Sequence, residues 1–225
     1  HGHGTGDMLD AVYGYLPDSD EEKYDEDYIK VAVIGKPNAG KSSLINKISG
    51  EERVIVSDIA GTTRDSTDTV VENEYGKFVF IDTAGIRKKS KVTEKIEHYS
   101  VLRAYMAVDR ADVCVIMLDA AEGFTEQDSK VAGYAHEQGK ACVVAVNKWD
   151  LVEDKSDKVM KFFENAIRER VAPFTDFPII FTSTITKQRV FKVLELAQEV
   201  YKNSKNKVST AKFNEEMLPL IEAYP

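Results

Sequence analysis

Cysteine is scarce: the 225 residues hold only Cys114 and Cys142. Two thiols cannot build a disulfide framework for a chain of this size. Both fall in apolar, strand-like runs, where a free thiol acts as a small buried hydrophobe of a reducing compartment. The expected location is therefore cytoplasmic. No apolar run approaches the ~20 residues that a membrane-spanning helix needs, no signal peptide is visible, and no membrane contact is expected. The four histidines lack metal-ligand spacing, which leaves His98 and His136 as expected surface residues. Positive charge is in deficit, with 30 Lys and Arg against 38 Asp and Glu and a formal net charge of −8. That balance opposes a general polyanion-binding surface but leaves room for a local basic patch. At 43% hydrophobic and 30% charged residues the composition is that of a soluble globular protein, with length for one ordinary domain and attachments.

Against these absences stands one complete motif. Gly35-Lys36-Pro37-Asn38-Ala39-Gly40-Lys41-Ser42 fits G-x-x-x-x-G-K-[ST], following an apolar run (29–34) and preceding a helix-like segment. Glycines let the backbone N–H groups of Asn38, Ala39, Gly40, Lys41, Ser42 and Ser43 curl around phosphate oxygens. Lys41 reaches the β- and γ-phosphates, and Ser42 offers its hydroxyl to Mg²⁺. The helix start adds its own positive end. The chain is expected to bind a nucleoside triphosphate.

The base is read downstream. The apolar run 141–146 leads into Asn147-Lys148-Trp149-Asp150, an N-K-x-D box. The Asp150 carboxylate can accept from both the ring N–H and the exocyclic amino group of guanine. Adenine offers neither, and such unpaired groups discriminate by about 10⁴-fold or more. Asn147 is expected at the purine's other edge, tying the loops together, with the Lys148 stem over the base or ribose. The expected ligand is GTP or GDP.

Between these boxes, Asp82-Thr83-Ala84-Gly85 ends a strand. Asp82 would supply a carboxylate to the water shell of Mg²⁺, and the Gly85 N–H would bond the γ-phosphate and release it on hydrolysis. Residues 57–65, Ser-Asp-Ile-Ala-Gly-Thr-Thr-Arg-Asp, form a second switch candidate in which one threonine ligates Mg²⁺.

The alternation of periods predicts strands over 29–34, 69–74, 77–81, 113–118, 141–146 and 177–181. Helices are predicted over 41–49, 94–108, 126–138, 155–170 and 188–203. The fold class is α/β: a six-stranded, mostly parallel sheet with one antiparallel edge strand and helices on both faces. Tyr75-Gly76 would turn the one hairpin. Ligands bind at the carboxyl ends of such strands, where the phosphate loop, Asp82 and Asn147 all fall. Four parts are expected: a tail helix (1–16), an acidic self-repelling linker (17–28), the central unit (29–203), and a further helical start (204–225). The chain opens without Met and reads as an internal fragment, monomeric since no helix carries a coiled-coil seam.

Together GKPNAGKSSL, DIAGTTRD, DTAGIRKK and NKWD resemble the second G domain of the EngA/Der family of tandem-domain bacterial GTPases. The two ends resemble the tail of a preceding G domain and the first helix of a KH-like domain. The resemblance implies a Ras-like P-loop GTPase domain. It also implies a role in assembling the large ribosomal subunit, with ribosomal RNA and neighbouring G and KH-like domains as partners of the full-length protein. The family usually carries Ser-Ala and then a Thr-Gly-type turn after the last strand. Ser183 matches, but Thr184 replaces Ala and Lys187 replaces Gly, so weaker guanine binding is expected.

Ile86 stands where many GTPases keep a water-orienting Gln, so positive charge must come from elsewhere. The resemblance implies potassium, held by Asn38, Thr62 and the backbone carbonyls of Ser57 and Ile59, with Thr63 on Mg²⁺. Asn38, Lys41, Thr63 and Gly85 are thus the expected catalytic set. Arg64 is either a cis phosphate contact or a mobile switch residue. Arg87, Lys88, Lys89 and Lys91 either touch RNA or a neighbouring domain, or form a solvated face. Two alternatives stay open: a binding module with incidental turnover, and a related GTPase of tRNA modification.

Overall fold

The computed structural model describes residues 27–50, 55–60, 67–83 and 96–223. Seven strands form one sheet in the order β2-β3-β4-β1-β5-β6-β7. They are β1 (Ile29–Ile34), β2 (Ile55–Ala60), β3 (Thr67–Asn73), β4 (Gly76–Phe80), β5 (Val113–Asp119), β6 (Ala141–Asn147) and β7 (Ile179–Phe181). The helices are α1 (Lys41–Ser49), α2 (Ile96–Arg110), α3 (Glu126–Glu137), α4 (Asp157–Val171), α5 (Val190–Lys205) and α6 (Thr210–Ala223).

The α/β class, the mostly parallel sheet and all six expected strands are present. Strand β3 is the one reversed strand, antiparallel to both β2 and β4. It stands one place in from the edge because β2 is an additional strand outside it. Residues 55–60, Ile-Val-Ser-Asp-Ile-Ala, combine three β-branched residues with a Ser-Asp pair. The pair reads as a turn in sequence; cross-strand pairing with β3 overrides it.

The central strands are buried on both faces because helices cover both. In β1, Ala32 and Ile34 point to the layer that packs with Val108, Val131 and Ile167 of α2, α3 and α4. Val31 and Val33 point the other way, to Leu44, Ile45 and Ile48 of α1 and Leu194 of α5. This period-two division is the alternation that strands impose on side chains. Cys114 and Cys142 face each other in register across β5 and β6. The hydrogen bond with Cys142, and then burial, push the Cys114 thiol well above its ordinary value, as suits a core residue. His136 lies exposed at the end of α3, stacked on Phe174.

Helix α6 follows the last core helix with Phe213, Leu218 and Ile221 exposed. Among the described residues, no helix is long and apolar enough to cross a membrane. The expected tail helix and most of the acidic linker lie outside the described residues. So do Thr62, Thr63, Arg64, Gly85, Arg87, Lys88, Lys89 and Lys91.

Candidate nucleotide-binding site

The loop after β1 can take its path only with glycine at both ends. Gly35 has φ +141°, and a Cβ there would lie 2.2 Å from the Met117 carbonyl oxygen. Gly40 has φ +104°, and its Cβ would meet Asn147 Nδ2 at 2.1 Å. Asn38, at φ +64°, also takes the left-handed conformation that Asn tolerates better than most residues. The chain therefore curls back on itself and delivers Lys41 as the first residue of α1. Lys41 Nζ donates to the carbonyls of Gly35 at 2.7 Å and Lys36 at 2.5 Å. Burial lowers its pKa from the ordinary value to about 8, with Asp128 pulling weakly the other way. Ser42 and Ser43 follow in the first turn of α1, which carries no acidic residue to offset its positive end.

Asn147, at the end of β6, joins this loop to the segment after β7. Its Nδ2 donates to the Ala39 carbonyl at 2.8 Å and lies 3.5 Å from Thr184 Oγ1. Its Oδ1 accepts the Thr184 N–H at 3.1 Å and the Thr182 hydroxyl at 3.4 Å. All the expected base-reading residues thus gather at one end of the sheet. Lys148 takes φ +62° and pairs through Nζ with Asp119, the last residue of β5. Trp149 is buried against Phe163 and Phe181, and its N–H donates to the Thr182 carbonyl at 3.0 Å. That anchor fixes the short turn 149–151 and so the direction of Asp150, whose buried Oδ1 has no hydrogen-bond partner among the described residues. Ser183 and Thr184 are buried, while Lys187 adopts φ +61°, the backbone region that glycine favours.

Asp82 follows β4, which is parallel and adjacent to β1, so it lies on the same side of the sheet as the phosphate loop. Its N–H donates to Asp68 Oδ1 at 2.9 Å, and its carboxylate meets Arg103 of α2 at 3.7 Å.

A sequence profile described as "50S ribosome-binding GTPase" matches residues 30–148, a little over half the chain. The chain belongs to this GTPase family. GTPase Der of Acetivibrio thermocellus is 57% identical over 215 residues, covering 96% of this chain and 49% of that protein. GTPase Der of Phocaeicola vulgatus is 56% identical, covering 100% of this chain and 51% of its own length. The chain thus spans about half the length of the curated relatives it matches, and its resemblance to the EngA/Der family holds along its whole length. Among solved structures, Era in complex with MgGDPNP and a 16S ribosomal RNA fragment superposes with a TM-score of 0.58 at 26% identity. That match covers 81% of this chain and 59% of the Era chain. Aquifex aeolicus Era bound to GDP·AlF4⁻ gives 0.57 at 27% identity, covering 80% and 57%. These matches agree with the Ras-like P-loop fold, in a family of GTP-hydrolysing enzymes.

One group of expected GTPase residues does not converge. Ser57 and Ile59 lie in β2, paired with Val70 and Asp68 of β3. Through Val70 and Val79, Ser57 is level with Lys30, whereas Asn38 lies beyond the end of β1. Strand β2 also stands three places from β1, about 14 Å at ordinary inter-strand spacing. The carbonyls of Ser57 and Ile59 therefore do not meet Asn38 in this conformation, because pairing with β3 holds them. Thr62, Thr63 and Gly85 lie outside the described residues.

Several residues of the site carried no motif signal: Trp149, Thr182, Asp119, Asp68 and the arginines of α2. Only Asp119 had a usable signal, a carboxylate closing an apolar strand just as Asp82 does.

Proposed function

We propose that this chain is a GTP-binding and GTP-hydrolysing switch domain of a factor for large-ribosomal-subunit assembly. The observation that carries the nucleotide reading is Asn147, whose amide ties the Ala39 carbonyl to Thr184. A phosphate loop and a guanine-edge loop are thereby held at a fixed separation. In this reading the N–H groups from Ala39 to Ser43 surround the phosphates, and Lys41 exchanges its two carbonyl partners for phosphate oxygens. Asp150 accepts from guanine, a role supported by its unpartnered Oδ1. The Lys148 stem flanks the base, and the Thr184 region supplies a backbone N–H.

The residues present fit Mg²⁺. Ser42 and Asp82 offer hard oxygen donors, and no three His, Cys, Asp or Glu side chains gather among the described residues. Such a sparse protein contribution suits an ion held largely by phosphates and water. When bound, Mg²⁺ would neutralise charge on the phosphates, the role for which Thr63 and the Gly85 N–H are further candidates. A potassium ion beside Asn38 would need Ser57 and Ile59 to leave β3, which makes pairing of β2 the off-state of the switch. The ribosomal part of the proposal is supported by the family's description and by Era, solved with ribosomal RNA. In this reading α6 begins a further domain of the longer protein.

Titration with GDP and ADP tests the pocket: GDP alone binding supports it, and equal affinities reject it. GTP turnover with Mg²⁺ in potassium chloride against sodium chloride, at equal ionic strength, tests the cation. Stimulation by potassium supports Asn38 as a ligand. Equal rates favour the second reading, a nucleotide-dependent binding module, to which the β2–β3 pairing already lends support. Co-sedimentation of this chain with 50S subunits in GTP but not GDP would support the ribosomal role.

A further inference from the structure

Helix α2 carries Arg103 and Arg110, seven positions and about two turns apart, and so on one face. Each meets an aspartate of the sheet beneath. Arg110 pairs with the fully buried Asp68 through one amino nitrogen, while its other lies 3.4 Å from Asp68 Oδ1. Asp68 Oδ1 also accepts the Asp82 N–H at 2.9 Å. Arg103 Nε then lies 3.7 Å from Asp82 Oδ2. The four residues form a circuit from α2 through β3 to the segment after β4 and back to α2, with the Asp82 backbone N–H as the link to Asp68. Its two ends are unequal. The Asp68 side chain is 0% exposed, whereas that of Arg103 is 45% exposed and that of Asp82 17%.

We propose that Arg103 is a positioning residue that holds the Asp82 carboxylate against α2 in competition with Mg²⁺. The proposal rests on the reading in which Asp82 serves the water shell of that ion. A guanidinium beside the carboxylate compensates the charge that a dication would otherwise attract. The exposed Arg103 pair is the one that yields, because water replaces its contacts cheaply. Arg110 cannot yield in the same way, since Asp68 would be left charged and buried. Metal arrival therefore frees the middle of α2 and leaves its carboxyl end pinned. By linkage, whatever draws Arg103 away from Asp82 strengthens the hold on Mg²⁺ equally.

The experiment measures GDP affinity across a Mg²⁺ titration for the whole chain, the wild type beside R103M, R103K and R110M. The expected result is a Mg²⁺ midpoint about fivefold lower in R103M, the scale of one exposed ion pair. R103K restores the wild-type midpoint because it keeps the charge. Thermal melting of R103M stays near wild type, whereas R110M melts far earlier. A midpoint in R103M that is unchanged or higher overturns the proposal. If R103M does not fold, R103Q is read in its place, and failure of both to fold also overturns it by making Arg103 structural. If wild-type GDP binding ignores Mg²⁺ altogether, the underlying reading of Asp82 fails, which is distinct from a wild type that responds and a variant that does not.

Discussion

Asn147 Nδ2 donates to the carbonyl of Ala39 at 2.8 Å, a bond between residues 108 positions apart in the chain. The same side chain leaves no room for a Cβ at position 40 and accepts the N–H of Thr184. One buried amide thus ties two loops to a common strand end. Asn147→Ala removes a donor and an acceptor at once, so unfolding of the nucleotide-free chain in urea is expected to show a loss of about 3 kcal/mol. Asn147→Asp keeps the acceptor for Thr184 but turns a lone pair on the Ala39 carbonyl, and its expected loss is at least as large. A stability within 0.5 kcal/mol of wild type (about the scale of a neutral surface change) in either variant would show that the loops are positioned by something else.

Asp150 makes the opposite prediction. Its Oδ1 is buried without a partner among the described residues, so Asp150→Asn costs the empty protein about 0.5 kcal/mol or less. Ligand choice changes instead. An amide in place of the carboxylate presents a donor to the guanine amino group and loses an acceptor, weakening GDP by about 10²-fold or more. Xanthine, with a carbonyl at that ring position, gains what guanine loses. Competition binding of GDP and xanthosine diphosphate to the variant reads the switch, and an unchanged preference would remove Asp150 from base recognition. Asp68→Ala is the contrast among the acidic residues, with an expected cost of about 3–5 kcal/mol from leaving Arg110 half-buried and unpaired.

Lys41 supplies a pH prediction whose sign follows from its folded pKa of about 8 against an ordinary 10.5. Between those values the unfolded chain binds more protons than the folded one, so stability rises with pH across the window. Below about pH 8 the penalty of burying the ammonium is fully present. Lys41→Met removes the titration, and its stability between pH 8 and 10.5 is expected to be flatter than that of wild type. Phosphate restores the charged form, so GDP binding near pH 8.5 takes up a proton in part. Calorimetry in buffers of different ionisation enthalpy detects that uptake, which vanishes in any variant lacking the amine that still binds.

Much of this was legible in the sequence for identifiable reasons. The phosphate loop, Asp82 and the Asn147 box lie at strand ends, where apolar runs of four to six residues break sharply into polar ones. Such boundaries survive any tertiary context. Strand β2 did not announce itself, since Ser57 and Asp58 are turn formers and only the partner β3 makes them extended. Asp68 and Arg110 were equally silent, because nothing in a lone Asp within a β-branched run says that its partner lies 42 positions away. Trp149 occupies the free position of N-K-x-D, and its anchoring role emerges only from contact with Phe163 and Phe181. The missed residues share one property: their chemistry is set by packing partners distant in sequence.

Lys187 is where the sequence made a definite and testable claim. Glycine was expected to suit that position, and the backbone there does take φ +61°. An L-residue in this region bears a cost of about 1–2 kcal/mol, so Lys187 holds the guanine-edge loop under strain. The strain is local, since Ser183 Oγ still accepts the Thr186 N–H at 3.1 Å and Ser183 N–H donates to the Gln188 carbonyl at 3.1 Å. Lys187→Gly is therefore expected to raise the melting temperature slightly and to tighten GDP by about two- to fivefold, part of the released energy being absorbed by the more flexible unfolded chain. Arg189 provides the control. It also stands in the left-handed region, at φ +54°, but it opens α5 rather than the loop itself. Arg189→Gly is expected to stabilise the chain without changing GDP affinity. Equal effects of the two substitutions on binding would mean that ordering of the loop does not limit recognition, and that the bulk of Thr184 is the residue change that matters.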